Sequence, residues 1–110
     1  MPAILAPRER RLAMTPLLVV SGTDIHDKPF TESTHATNVS GGGLSFETPH
    51  NVTVGTRLTV RIHLPPALRH HFHDQPVYGV RGMVARVERV PGGRRYCIGV
   101  KLLAELRGAA

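Results

Sequence analysis

One short segment of this chain carries polar residues at a spacing that could bind a ligand. Asn38 and Ser40 are separated by one position, and Gly41, Gly42 and Gly43 follow directly. Residues two apart lie on the same side of an extended chain, and glycine lets backbone amides approach a ligand without interference from a Cβ atom. The same residue types are also typical of a glycine-rich turn capped by Asn and Ser. The segment is therefore either the edge of a binding site or a turn.

A second segment, near the N-terminus, is strongly basic. Arg8, Arg10 and Arg11 fall within four residues. Guanidinium groups bind phosphate oxygens in a bidentate manner and stack on planar bases, so this cluster could hold an anionic ligand. A solvated basic arm would have the same composition.

The composition of the chain excludes several classes of protein and site, but it does not identify a function. The 110 residues suit one domain, and the formal charge of +6 favours anionic partners. The single cysteine, Cys97, excludes an internal disulfide and a cysteine-based zinc site. The absence of Trp and the 5% aromatic content disfavour a stacking platform for single-stranded nucleic acid. No apolar stretch is long enough to span a membrane, and residues 1–12 do not resemble a signal peptide, so we expect a cytoplasmic protein.

Glycine and proline divide the chain into short segments, which is typical of an all-β domain. The clearest strand is residues 57–64, where apolar and polar residues alternate strictly. Residues 77–90 predict one long strand or two bent ones, with Gly79 and Gly82 marking a bulge or bend. Residues 94–102 alternate again, and residues 103–107 could form at most a turn or two of helix. We expect about six antiparallel strands closed into a small barrel, with an open sandwich as the alternative.

Together, these segments resemble the PilZ domain family, whose members are bacterial receptors for the second messenger cyclic di-GMP. The family has an (Asp/Asn)-x-Ser-x-x-Gly motif, which Asn38, Ser40 and Gly43 match at every defined position. Further similar segments are Val54-Gly55, Gly82 to Val87 and Tyr96 to Leu102. The resemblance implies a six-stranded, Greek-key PilZ barrel over residues 16–107, preceded by a flexible basic arm over residues 1–15 and followed by a tail over residues 108–110.

The family's other motif, Arg-x-x-x-Arg, is matched only in its first position. Alignment on Thr15-Pro16-Leu17 places Arg10 at the first arginine and Met14 at the second. A methionine cannot donate a hydrogen bond to a phosphate or a guanine. By resemblance, the ligand-binding residues would be Arg8, Arg10 and Arg11 in the arm and Asn38, Ser40 and Gly43 on the barrel.

The resemblance predicts a cyclic di-GMP receptor or adaptor that is not an enzyme and needs no cofactor. The alternative is a degenerate PilZ domain that does not bind the nucleotide and acts through a protein partner of pilus, flagellar or exopolysaccharide machinery. Nucleic acid is a less favoured partner, because aromatic residues are few. We expect no metal site: His70, His71, His73 and Asp74 are too crowded to form an ordered one and read as a polar loop.

Overall fold

The computed structural model describes residues 16–39, 42–70 and 74–106 of the chain. These residues form six strands and one helical turn: β1 (Leu17–Thr23), β2 (Pro29–Val39), β3 (Gly43–Thr48), β4 (Arg57–His63), α1 (Pro66–Arg69), β5 (Val77–Arg89) and β6 (Tyr96–Glu105). No helix in the described part is long and apolar enough to span a lipid bilayer.

The six strands close into an antiparallel barrel in the order β1-β2-β3-β6-β5-β4, with β4 pairing back onto β1. Two three-stranded meanders, β1-β2-β3 and β4-β5-β6, are joined by a connection from β3 to β4, which are not neighbours in the sheet. This order gives the Greek-key character expected from the resemblance. Closure leaves the sheet without free edges, and it confirms the barrel over the sandwich.

Alternation along the strands places one face of each in the core. In β4, Leu58, Val60 and Ile62 are buried, whereas Arg57, Arg61 and His63 are exposed. Phe46 of β3 and Ile98 of β6 are completely buried opposite each other. Each large apolar side chain contributes about 1.5–3 kcal/mol through burial, so this inner face provides most of the stabilisation.

Two local expectations differ from the structure. Leu103 to Glu105 extend β6 and do not form a helical turn, because Ala104 and Glu105 pair with Arg81 and Val80 of β5. The described helix lies instead in the β4–β5 connection, where Pro65-Pro66 ends β4. Proline is well tolerated in the first turn of a helix, so Pro66 can begin one.

The predicted arm (residues 1–15) and tail (residues 108–110) lie outside the described residues, and the domain boundaries remain predictions.

Candidate functional site

A β-bulge in β2 organises the outer surface around Asn38. The register shifts between Ala36, which pairs with Phe46, and Asn38, which pairs with Ser45. Thr37 is the extra residue, and its hydroxyl oxygen lies 2.9 Å from that of Ser45. Asn38 is exposed, whereas Ser45 is only 7% exposed although it faces outward. The bulge therefore brings the amide of Asn38 beside a pair of hydroxyl groups.

An arginine from a distant part of the chain extends this polar row. Ser45 pairs with Gly99 of β6, and Gly99 pairs with Arg86 of β5. A Cβ atom built on Gly99 would lie 3.4 Å from Cβ, Cζ and one terminal nitrogen of Arg86. The guanidinium of Arg86 thus lies over Gly99, in space that a larger side chain at position 99 would occupy. Its Nε is 3.7 Å from Oε1 of Glu88, and the Arg86 side chain stays 55% exposed.

Gly43 has a structural reason to be glycine. A Cβ atom built on it would lie 2.6 Å from the carbonyl oxygen of Val100 on β6, a distance that real side chains essentially never adopt. Gly43 pairs with Lys101 in this register. The glycine of the motif therefore permits close pairing of β3 with β6.

These elements surround an open cavity of about 240 Å³ on the outside of the barrel. Two cations, Arg86 and Lys101, line it together with Asn38, and none of the acidic residues in the described ranges does. Such a lining favours an anionic group with hydrogen-bond acceptors. The complete lining is Asn38, Gly43, Leu44, Ser45, Ala85, Arg86, Gly99, Val100 and Lys101.

The structure brings Asn38 and Gly43, two of the predicted site residues, to this one cavity. The other four lie outside the described residues: Arg8, Arg10, Arg11 and Ser40.

Sequence reasoning did not assign a role to Ser45, Arg86 or Lys101. Alternation along β6 puts Lys101 on the outer face, whereas Arg86 faces outward because the register of β5 shifts between Val84 and Arg86. The pairing of β3 with β6 and of β6 with β5 then brings both cations to Asn38.

Among residues 16–39, 42–70 and 74–106, no three His, Cys, Asp or Glu side chains are grouped so as to hold a metal ion. His71 and His73 are outside these ranges.

Comparison with known proteins identifies the family. The model of the PilZ domain matches residues 7–109, which is nearly the whole chain. The chain belongs to the PilZ domain family. Among solved structures, this PilZ chain is similar to the Bacillus subtilis inhibitor of motility, MotI/DgrA, with a TM-score of 0.64 at 15% identity. That match covers 94% of this chain and 46% of the other, so the chain spans less than half of its structural neighbour. No curated protein matches.

The family assignment gives a coarse function. PilZ domains are binding and adaptor domains of cyclic di-GMP signalling, and the cavity lies beside the family's (Asp/Asn)-x-Ser-x-x-Gly motif.

Proposed function

We propose that this PilZ domain is a cytoplasmic receptor for cyclic di-GMP that binds the dinucleotide on the outer face of β2, β3, β6 and β5. The observation that carries the proposal is the convergence of Asn38 and Gly43 of the motif with Arg86 and Lys101 at one cavity. The ligand has two phosphates and two guanines, so it requires cations and hydrogen-bonding groups at the same place.

In this proposal, Arg86 supplies the guanidinium that is missing where Met14 replaces the second arginine of the family motif. A guanidinium can bind phosphate oxygens in a bidentate manner, and Arg86 presents one from β5, in the cross-strand row Ser45–Gly99–Arg86. Its carboxylate neighbour, Glu88, is 3.7 Å away and solvent-exposed, so the ion pair between them is weak and can exchange for a phosphate. Lys101, two residues along β6 from Gly99, adds a second positive charge.

The course of the chain is consistent with a contribution from the basic arm. The carbonyl oxygen of Pro16 accepts a hydrogen bond from the amide of Ala36 at 3.0 Å, so the first described residue lies beside Ala36, which precedes Asn38 by two positions in β2. Six residues of extended chain reach about 20 Å, which would bring Arg10 within range of the cavity. In this proposal Arg8, Arg10 and Arg11 of the arm contact the phosphates or guanines of the ligand. Asn38 and Ser40 donate or accept hydrogen bonds to the ligand from the barrel.

No catalytic step is part of the proposal. The receptor would bind the messenger and pass the signal to a protein partner. The alternative for the same fold is an adaptor that no longer binds nucleotide, and Met14 is the residue that favours it.

Isothermal titration calorimetry of the 110-residue chain with cyclic di-GMP, and with GTP as a control ligand, tests the proposal. We expect selective binding by the parent and weaker binding by Asn38→Ala, Ser40→Ala and Arg86→Gln. Loss of one charge-assisted contact, at about 1.5–3 kcal/mol, lowers affinity by roughly ten- to a hundredfold.

Arg89→Gln is the matched control, because Arg89 lies on the same strand, is exposed and does not line the cavity. We expect it to change affinity less than about threefold. An absence of heat from the parent would reject the receptor and leave the adaptor. Equal effects of the Arg86 and Arg89 variants would remove Arg86 from the site without rejecting the receptor.

A further inference from the structure

Three arginines form a second basic surface, on the outside of β4 and β5. Arg57 and Arg61 are exposed on β4, and Arg81 is exposed on β5. Arg81 pairs with Thr59, the residue midway between the two β4 arginines, so it is the diagonal neighbour of each. Diagonal neighbours in an antiparallel pair are about 7–8 Å apart. We call Arg57, Arg61 and Arg81 the arginine face.

The arginine face has no acidic partner in the described part of the chain. The residues opposite the arginines in the β4–β5 register are uncharged: Met83, Thr59 and Gly79. None of the three guanidiniums forms an ion pair there, whereas Glu32, Glu47 and Glu88 each pair with a basic residue elsewhere on the barrel. Like charges at this spacing repel one another, so the free protein gains no stability from this arrangement.

The surface between Arg57 and Arg81 is concave and carries hydroxyl groups. Arg61 lies outside a cavity of about 340 Å³, which is lined by Ser21, Gly22, Arg57, Leu58, Thr59 and Arg81. Ser21, Thr59 and Arg81 form one cross-strand row from β1 to β5. Guanidiniums and hydroxyl groups together can donate to several carboxylate oxygens.

The spacing and number of the arginines favour an acidic polypeptide over nucleic acid. An extended peptide places alternate side chains on one side about 6.6–6.8 Å apart, close to the diagonal spacing of the arginines. The electrostatic affinity for nucleic acid grows with the number of phosphates that a protein neutralises, and three guanidiniums neutralise only about three. The chain also contains no Trp for stacking bases.

We propose that the arginine face is the docking surface for an extended acidic segment of a partner protein, with Asp or Glu at alternate positions. The surface is separate from the proposed nucleotide cavity, because the two share no lining residue. The proposal therefore holds or fails independently of cyclic di-GMP binding.

The test is a titration of the ¹⁵N-labelled 110-residue chain with the peptide acetyl-(Glu-Thr)₄-amide, followed by NMR. We expect the amide signals of Ser21, Thr59 and Arg81 to shift most. Arg57→Gln/Arg61→Gln/Arg81→Gln should weaken binding roughly tenfold, the combined effect of three exposed charge pairs.

The matched control is Lys28→Gln/Arg89→Gln/Arg94→Gln, which removes the same charge from exposed positions outside both cavities. We expect it to weaken binding less than about threefold. Equal weakening by the two triple variants would show attraction to net charge alone and would overturn the proposal. So would the absence of any shift at about 10 mM peptide, or tighter binding of oligothymidylate at the same residues.

Discussion

Replacing Gly43 by alanine separates two roles that the motif glycine could have. A Cβ atom at this position would lie 2.6 Å from the carbonyl oxygen of Val100, about 0.8 Å inside the 3.4 Å at which ordinary contact begins. The obstacle is backbone, so β3 must move away from β6 over a pairing that includes Gly43–Lys101 and Ser45–Gly99. Overpacking of this kind typically costs about 1–3 kcal/mol. For a domain of this size, that corresponds to roughly 5–15 °C in Tm.

Gly42→Ala is the matched control for this prediction. Gly42 is the preceding residue, it is exposed, and a Cβ built on it would meet no atom of the other described residues within 4 Å. Because its backbone is compatible with alanine, this substitution should leave Tm unchanged or raise it slightly.

The assay is thermal unfolding of the two variants and the parent, followed by circular dichroism in one buffer. We expect Gly43→Ala to unfold well below the parent and Gly42→Ala at or above it. If the two variants melted within about 2 °C of each other, the close approach of β3 and β6 would be refuted. If the expected difference is found, weaker ligand binding by Gly43→Ala reports displacement of β3 and not a lost ligand contact.

Two further predictions concern polar groups. Hydrogen bonds from the backbone amides of Lys28 and His26 hold the pKa of the Asp24 carboxyl below its ordinary value of 3.8, with the Lys28 amide the largest cause. The stability that this carboxylate contributes is present above pH 3.8 and is lost as the pH falls through the lowered pKa. Asp24→Asn keeps a hydrogen-bond acceptor but cannot titrate, so its Tm should fall less on acidification than that of the parent. Identical Tm-against-pH profiles for the variant and the parent would contradict this. Thr37→Val removes the hydroxyl partner of the buried Ser45 and should destabilise the barrel by about 1–2 kcal/mol in urea unfolding. The same change in a Ser45→Ala background should cost clearly less, and additive effects would argue against the hydrogen bond.

The sequence predicts the barrel well because its strands alternate strongly. In β4 each second residue from Leu58 is apolar, and a period of two has only one structural interpretation. Leu103, Ala104 and Glu105 do not alternate in this way, and their residue types suit a helix equally well. Pairing of Ala104 with Arg81 decides their conformation, and that contact crosses more than twenty residues of chain.

The candidate site could be predicted only where its residues are neighbours in the chain. Asn38 and Gly43 lie on consecutive strands and form a local motif. Arg86 and Lys101 are separated from them by the β3–β4 crossover, which inserts β6 and β5 beside β3. Residue spacing along the chain does not indicate which strand pairs with β3. The positions of Arg86 and Lys101 beside Asn38 therefore follow only from the strand order of the closed barrel.

The two proposed surfaces are close enough for charges at one to affect binding at the other. Gly43, Lys101, Met83 and Arg57 form one cross-strand row, so the nucleotide cavity and the arginine face are two to three strand spacings apart. This is about 10–15 Å, at which two unit charges in water interact by about 0.3 kcal/mol before salt screening. With a Debye length of about 8 Å, the sum over two ligand phosphates and three arginines is about 0.5 kcal/mol, roughly a twofold change in affinity. Charge alone therefore leaves the surfaces nearly independent. Stronger coupling would require movement of β5 against β6, the strand pair whose register shifts twice, between Arg81 and Gly82 and between Val84 and Arg86.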